Sequence, residues 1–451
     1  MKLDLNPHKL FCVNEKKYVI VAKTGAIYEV DDATATLISL DGISMDQVAH
    51  EMNVKYGMTR DDVQRTIDEF RGVYLSGYHN DDDSFTYSLE QLRGIELMVC
   101  QCCNLACTYC YASEGEYKNP GWMSEQVGKK AIDFLFSHST SKSPSISFFG
   151  GEPLLNYSLI KILVEYARKV AKEHEKTVSF AITTNGTLIN DEIGNFLSQN
   201  AFYVSLSIDG SRDNHNTCRW NKAGLGSYDD SIRAIHTLDK CPITLRATST
   251  PENCNYTEIA NALFALNESE FFIAEAMNCF CSETALQKVE QAYDGLLNQF
   301  EKDLNLDEIR KCKANLLVYN NLKRIANFEK RSCSCSAFIG AVAVDIDGKV
   351  YPCHRFVGTT YCIGNIAIDD FDFRSAQELV TKDFLTKNRV GCSNCWAQNL
   401  CLGGCSYLNW EANGRCYIPS ADKCKLNLHL LEKIVFLYLK LTEEQKDRLR
   451  L

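Results

Sequence analysis

The sequence predicts an α/β protein in which six strand–helix units form a parallel sheet, with a smaller module before it and a cysteine-rich region after it. From residue 94 onward, compact apolar or β-branched segments alternate with amphipathic helical segments, which is the pattern of a buried parallel sheet. The pattern differs before residue 80 and after residue 332. We therefore expect the 451 residues to form more than one domain.

The composition excludes several classes of protein. A net charge of −10 argues against a nucleic-acid binder, which needs a basic face. The first residues lack the apolar core of a signal peptide, and charged residues interrupt the C-terminal apolar stretch, so we expect a cytoplasmic protein without a membrane partner. Because the cytosol keeps thiols reduced, the 22 cysteines indicate metal ligation rather than disulfides.

Residues 1–80 are predicted to form a small winged-helix module. Residues 8–13, 17–23 and 26–30 have the composition of short strands, and helix-start signals follow at Ser44 and Thr59. The alternative is a structural cap on the barrel. Residues 81–93, which begin with three consecutive aspartates, are predicted to be a linker.

The six strand–helix units fall within residues 94–304 and are predicted to form a partial barrel. The predicted strands are 95–100, 145–150, 178–183, 203–208, 243–250 and 271–277. Ligands of parallel α/β sheets bind at the carboxyl ends of the strands. Cys103, Gly150–Pro153, Asn185 and Ser207 follow or end the first four strands, so we expect them at one rim.

Three cysteines follow the first strand with the spacing CxxxCxxC. Cys103, Cys107 and Cys110 can occupy three corners of a [4Fe–4S] cluster and leave its fourth iron open to another ligand. A zinc site, or three unrelated thiols, are the alternatives at this point.

The surrounding motifs resemble those of the radical S-adenosylmethionine (SAM) enzymes. Tyr109 stands just before the third cysteine, and the family's GGEP, TNGTL and SxDG motifs begin at Gly150, Thr184 and Ser207. The resemblance implies a partial (β/α)6 TIM-like barrel in which Cys103, Cys107 and Cys110 hold the catalytic cluster. It further implies that SAM is contacted by Tyr109, Gly150, Gly151, Glu152, Pro153, Asn185, Ser207, Asp209 and Arg219.

A second cysteine-rich region, residues 333–425, follows a predicted helical bridge at 305–332 and precedes a predicted C-terminal helix at 426–451. It contains Cys333, Cys335, Cys353, Cys392, Cys395, Cys401, Cys405 and Cys424. Structural zinc is the alternative, because CxxC pairs commonly hold zinc. The spacing resembles the SPASM domain, which implies two auxiliary [4Fe–4S] clusters.

By this resemblance, the first auxiliary cluster is held by Cys335, Cys353 and Cys405, with Cys333 as a fourth ligand or with one iron left open. The second auxiliary cluster is held by the other four thiols, Cys392, Cys395, Cys401 and Cys424.

The resemblance implies a peptide maturase. With SAM and three [4Fe–4S] clusters it would generate a 5′-deoxyadenosyl radical and install thioether bonds between cysteine and carbon in a ribosomally made precursor peptide. The winged-helix module would bind the peptide's leader as an added strand. An external one-electron reductant of the flavodoxin or ferredoxin type is also implied. The alternatives are a carbon–carbon cross-linking or sulfatase-maturing SPASM enzyme, and an iron–sulfur electron-transfer protein.

Overall fold

The computed structural model describes residues 2–5, 7–22, 24–76, 92–277, 279–327, 331–368 and 371–451. Most of the predicted linker lies outside these residues. The described residues form two compact units, one drawn from 1–86, 320–334 and 383–451, the other from 87–319 and 335–382. The units therefore interleave along the chain, whereas the sequence analysis divides it into consecutive segments.

The N-terminal residues form a three-stranded antiparallel sheet followed by helices. The strands are β1 (His8–Val13), β2 (Lys16–Val21) and β3 (Ile27–Val30), in the order β1-β2-β3. The helices are α1 (Asp32–Ser39), α2 (Met45–Tyr56) and α3 (Arg60–Ser76). The predicted strands and the helix starts after Ser44 and Thr59 are confirmed, whereas α1 is an element that the sequence analysis missed.

Capping and burial explain why these helices form. The Ser44 hydroxyl accepts a hydrogen bond from the Gln47 amide and so caps α2. Val48 of α2 and Val63 of α3 are completely buried in a core that also receives Val19 from the sheet. The module thus has its own apolar core within the first unit.

The second unit contains the predicted parallel sheet, which is confirmed. Its strands are β4 (Gly94–Gln101), the short β5 (Gly121–Trp122), β6 (Ser145–Gly150), β7 (Ser179–Thr184), β8 (Phe202–Ser207), β9 (Ile243–Ser249) and β10 (Glu270–Glu275). Apart from β5, each of these strands pairs in parallel with the next one along the chain. β5 instead pairs antiparallel with β4. The strands at the two ends of the sheet do not pair with each other, so within the described residues this is an open, partial barrel.

Amphipathic helices alternate with these strands. They are α4 (Glu125–His138), α5 (Tyr157–Glu173), α6 (Asp191–Gln199), α7 (Arg212–Cys218), α8 (Tyr228–Thr237), α9 (Tyr256–Asn267) and α10 (Glu283–Asn305). Two shorter helices follow, α11 (Ile309–Ala314) and α12 (Leu316–Ala326). The apolar faces of α4 and α5 are buried, as their 3.6-residue periodicity predicts.

The cysteine-rich region extends the barrel sheet, which the sequence analysis did not predict. β11 (Ala341–Val344) pairs parallel with β4, and β12 (Lys349–Tyr351) and β13 (Gly364–Asn365) continue the sheet antiparallel. β11 is completely buried at three of its four positions. Burial against β4 explains why so short a strand is stable.

The remaining helices are α13 (Phe373–Phe384), α14 (Gln398–Cys401), α15 (Ser406–Asn413), α16 (Ala421–Lys440) and α17 (Glu443–Leu449). α16 begins before the predicted C-terminal helix, so that Cys424 lies in its first turn. None of the helices in the described part of the chain has the length and apolar character needed to cross a membrane.

Candidate active site

A cavity of about 350 Å³ opens at the carboxyl ends of the barrel strands. This is the rim where the sequence analysis expects the ligand. The predicted residues that line it are Cys103, Cys107, Tyr109, Cys110, Gly150, Gly151, Asn185, Ser207 and Arg219. Three other predicted SAM contacts, Glu152, Pro153 and Asp209, are buried and are not part of this lining.

The loop that carries the three cysteines is held by main-chain hydrogen bonds. The Ala106 amide donates to the Trp220 carbonyl at 2.8 Å, and the Thr108 amide donates to the Cys218 carbonyl at 3.0 Å. Burial raises the pKa of Cys103 to about 12 and that of Cys107 to about 11. Buried thiols of this kind become good ligands when a cation stabilises the thiolate.

Two glycines allow the main chain of β6 to approach this loop. Gly150 has a φ of +142°, and a Cβ atom there would lie 2.0 Å from the Cys100 carbonyl oxygen. A Cβ at Gly151 would lie 2.1 Å from the Cys102 carbonyl oxygen. The Gly151 amide instead donates to Cys100 at 2.8 Å, so the GGEP motif fixes the position of the cysteine loop.

Glu152 stabilises the rim of the cavity, although its side chain does not line the cavity. It is completely buried, and its carboxylate accepts hydrogen bonds from the Leu154 amide at 3.0 Å, the Thr184 hydroxyl at 2.8 Å and the Asn185 amide at 2.8 Å. Burial raises its pKa to about 7 although these hydrogen bonds oppose the shift. Its carboxylate therefore joins the ends of β6 and β7.

Asn185 connects the TNGTL motif to the cysteine loop. Its side-chain amide donates to Asn104 Oδ1 at 2.9 Å, and Asn104 in turn donates to Thr187 Oγ1 at 2.7 Å. The Thr187 hydroxyl closes the network by donating to Asn185 Oδ1 at 2.7 Å. These polar groups hold the residue after Cys103 in place from the neighbouring strand ends.

A buried ion pair lies beside the cysteines. Arg219 Nε donates to Asp209 Oδ2 at 2.8 Å, and Tyr109 donates its hydroxyl proton to the same oxygen at 2.5 Å. The Arg219 guanidinium also lies 5.3 Å from the centre of the Tyr109 ring. Burial lowers the pKa of Arg219, but Asp209, Tyr109 and Cys107 together have the larger effect and leave this pKa raised. Asp209 thus positions two residues that line the cavity.

His215 supports this pair from α7. Its Nδ1 lies 3.4 Å from the Asp209 main-chain nitrogen, and its Nε2 lies 2.9 Å from the Ser227 hydroxyl. Burial, with a smaller contribution from Arg219, lowers the pKa of His215 to about 4. The imidazole is therefore neutral near pH 7.

One wall of the cavity contains charged residues that the sequence analysis missed. Glu96 of β4 lies 3.1 Å from His354 Nδ1, and the His354 ring stacks on Phe149 at 4.5 Å. Burial favours the neutral form of Glu96, but the hydrogen bonds and charge of His354, together with the charge of Arg355, outweigh burial and lower the pKa of the carboxyl group. Arg246 and Arg355 also line this wall. A charged residue within a buried strand, as at Glu96 and Arg246, is the signal that could have identified them.

Four of the predicted auxiliary-cluster cysteines come together in the first unit. Burial raises the pKa of the Cys392 thiol to about 11, and the nearby thiols of Cys401, Cys424 and Cys395 add to this increase. The Asn427 amide lies 3.6 Å from Cys401 Sγ. The other predicted ligands are divided between the units, with Cys333 and Cys405 in the first and Cys335 and Cys353 in the second.

The donor chemistry of the barrel cavity fits a cubane cluster and SAM. Three thiols face a space that Asn185, Ser207 and Arg219 also line, which provides polar groups for a zwitterionic ligand. In the described ranges, no three His, Cys, Asp or Glu side chains surround a point where a single metal ion would sit. A cubane differs from a single ion because each thiolate binds a different iron.

Comparison with known proteins agrees with this site. Residues 97–249 match the radical SAM superfamily. The cysteine-type anaerobic sulfatase-maturating enzyme of Clostridium perfringens (strain 13 / Type A) is 26% identical over 326 residues, which cover 67% of this chain and 85% of that protein. The structure of anSMEcpe with bound AdoMet superposes with a TM-score of 0.65 at 20% identity, covering 77% of this chain and 100% of that one.

A second solved structure resembles more of the chain. Streptococcus suis SuiB bound to its precursor peptide SuiA has a TM-score of 0.52 at 13% identity and covers 94% of this chain and 99% of that one. At this low sequence identity, the comparison with SuiB shows a similar fold and nothing more. The family match covers the cysteine loop and the motifs that surround the cavity, so residues 97–249 form a radical SAM domain.

Proposed function

We propose that this enzyme is a peptide maturase that installs thioether bonds between cysteine and carbon in a ribosomally made precursor peptide. SAM and the cluster on Cys103, Cys107 and Cys110 would supply the radical that removes a hydrogen atom from the peptide. The chain's own part is to hold SAM, to admit the peptide to the cavity and to keep its reacting groups in place.

The observation that carries the proposal is the approach of four thiols in the C-terminal region. Cys392 and Cys424 each lie near Cys395 and Cys401, so these residues could supply the four thiolates of one cluster. With Cys335, Cys353 and Cys405 as a second set, completed by Cys333 or left with an open iron, we propose three [4Fe–4S] clusters in total. An electron carrier that never cleaves SAM would have no use for the polar cavity beside the first set.

The N-terminal module favours a peptide substrate with a leader. β3 is an edge strand of the three-stranded sheet, and Tyr28 at its centre is 39% exposed. In the described part of the chain, no strand pairs with the outer edge of β3, so the main-chain groups of this edge can pair with an added strand. The fold likeness to SuiB covers 94% of the chain, against 77% for anSMEcpe, so the sulfatase-maturase fold leaves more of this chain unmatched. Recognition of a leader by the module is part of the proposal.

The sulfatase-maturing reaction is the second candidate. The names of two relatives with similar sequences favour it. The Clostridium perfringens protein is named as a cysteine-type enzyme, and a Bacteroides thetaiotaomicron relative, 28% identical over 295 residues, is named as a serine-type enzyme. Oxidation of cysteine or serine would create a carbonyl group in the substrate. Formation of a thioether would consume a thiol and would create no carbonyl group.

Two measurements test the proposal. Anaerobic reconstitution should load about twelve irons per chain, because three cubane clusters are expected. The reconstituted enzyme, given SAM, an external one-electron reductant and a cysteine-bearing precursor peptide encoded beside its gene, should then produce a peptide that has lost an alkylatable thiol. A product that instead reacts with a hydrazide would support the sulfatase-maturing reaction. About four irons per chain would contradict the auxiliary clusters.

A further inference from the structure

One wall of the cavity contains two guanidinium groups. Arg246 of β9 and Arg355, which follows β12, both line the cavity. In the sheet, Arg246 is in register with Ser207 of β8 and Phe272 of β10. Its guanidinium lies 5.4 Å from the centre of the Phe272 ring. The ring supports the cation from one side and leaves it accessible from the cavity.

Arg246 lacks an anionic partner within the part of the chain that the structure describes. Its side chain forms no hydrogen bond or ion pair there, whereas Arg219 donates two hydrogen bonds to Asp209. Burial and the nearby charge of Arg355 both lower the pKa of Arg246. Two cations close together in a partly enclosed space repel each other, and a bound anion would relieve that repulsion.

The carboxylates on the same wall already have partners. Glu96 binds His354, and Glu275 accepts hydrogen bonds from the hydroxyls of Tyr256, at 3.3 Å, and Tyr293. An anion that binds Arg246 would therefore have to come from a ligand of the cavity.

We propose that Arg246 and Arg355 bind the carboxylate of an Asp or Glu side chain in the substrate peptide. The inference rests on the proposed function, because it assigns the chemistry of a peptide that the cavity admits. The carboxylate of SAM is the competing source. Arg219 is already paired with Asp209 beside Tyr109, whereas Arg246 stacks on Phe272 of β10, so the two arginines make different contacts in the cavity lining.

A binding assay with synthetic peptides tests the inference without requiring turnover. The probes are fluorescein-labelled peptides in which a single aspartate is moved along the positions that flank one cysteine, each matched with its asparagine counterpart. Anisotropy is measured with the reconstituted holoenzyme in the presence of SAM. At least one aspartate peptide should bind about tenfold more tightly than its asparagine counterpart, as expected for a charge-assisted hydrogen bond.

Variants assign that preference to a residue. Arg246→Gln should abolish it, Arg246→Lys should keep part of it, and Arg246→Glu should favour a lysine peptide instead. Arg233→Gln is the matched control, since Arg233 is exposed and paired with Asp230. SAM affinity, measured by equilibrium dialysis, should be the same in the wild type and in Arg246→Gln.

The outcomes separate the inference from the proposed function. Equal binding of every aspartate and asparagine pair by the wild-type enzyme overturns the inference. So does an Arg246→Gln enzyme that loses SAM affinity by the same factor, because the carboxylate would then be that of SAM. If the aspartate preference is found but no peptide is chemically changed, the binding site stands and the proposed function fails.

Discussion

Replacing Asp209 with Asn should destabilise the barrel strongly. Asp209 is completely buried and receives hydrogen bonds from Arg219 Nε at 2.8 Å, Arg219 Nη2 at 3.3 Å, the Tyr109 hydroxyl at 2.5 Å and the Thr248 amide at 2.8 Å. An asparagine keeps the shape but leaves the buried Arg219 without a counter-charge. Removing one member of a buried pair costs about 3–5 kcal/mol, and we expect a loss of that size in the free energy of unfolding.

A double-mutant cycle with Arg219→Gln tests the origin of this loss. Because the arginine charge is the source of the penalty, Asp209→Asn combined with Arg219→Gln should cost about 2–3 kcal/mol less than the sum of the single changes. Urea unfolding of the cluster-free protein gives these free energies, provided that circular dichroism and fluorescence transitions coincide.

Asp213→Asn is the matched control for this cycle. Asp213 is an exposed acid on the same helix as His215, so its change should stay within about 0.5 kcal/mol. Additive effects of the Asp209 and Arg219 changes, or a cost for Asp209→Asn as small as that of the control, would refute the reasoning.

Three further predictions have defined outcomes. Cys107→Ala should abolish formation of 5′-deoxyadenosine, whereas Cys395→Ala should retain some SAM cleavage and lose peptide modification; undiminished cleavage in the first variant would contradict the assignment of the catalytic cluster. Tyr28→Ala should weaken binding of the full-length precursor several-fold without changing SAM cleavage, and Val54→Ser, at a site that is 72% exposed on α2, should change neither. The pKa of His215 falls from 6.5 to about 4 on folding, so stability should be lost as the pH decreases from 6.5 to 4, by about 3 kcal/mol in total. His215→Gln should remove this part of the pH dependence in urea titrations, and an unchanged pH profile would contradict it.

The strands of the barrel could be predicted from the sequence because each is a short apolar segment between helical patterns. β4 and β6 were predicted to within one residue at each end. In contrast, α1 was missed: its eight residues are capped by Asp31, but they follow β3 almost directly and show no long helical period. β11 was missed because its burial depends on pairing with β4, a contact between distant parts of the chain.

The candidate site shows the same difference between features set by local sequence and features set by contacts between distant residues. The cysteine loop, Asn185, Ser207 and Arg219 could be predicted because each belongs to a local motif at a strand end. The burial of Glu152 and Asp209 could not, since it depends on three or more elements closing around each carboxylate. Arg246 was missed for a related reason: in the sequence it is one charged residue in a β-branched strand, and only the barrel shows which way it points.

The chemical change in the product tests the central claim most directly. Forming a thioether would remove one hydrogen atom from carbon, taken by the 5′-deoxyadenosyl radical, and one proton from sulfur, and the surplus electron would pass to an auxiliary cluster. Mass spectrometry of the modified precursor should therefore show the loss of two hydrogens for each bond, and alkylation with iodoacetamide should show one thiol fewer for each. A peptide that loses two hydrogens but keeps every cysteine open to alkylation would contradict the thioether and favour a carbon–carbon cross-link or the oxidation of a serine.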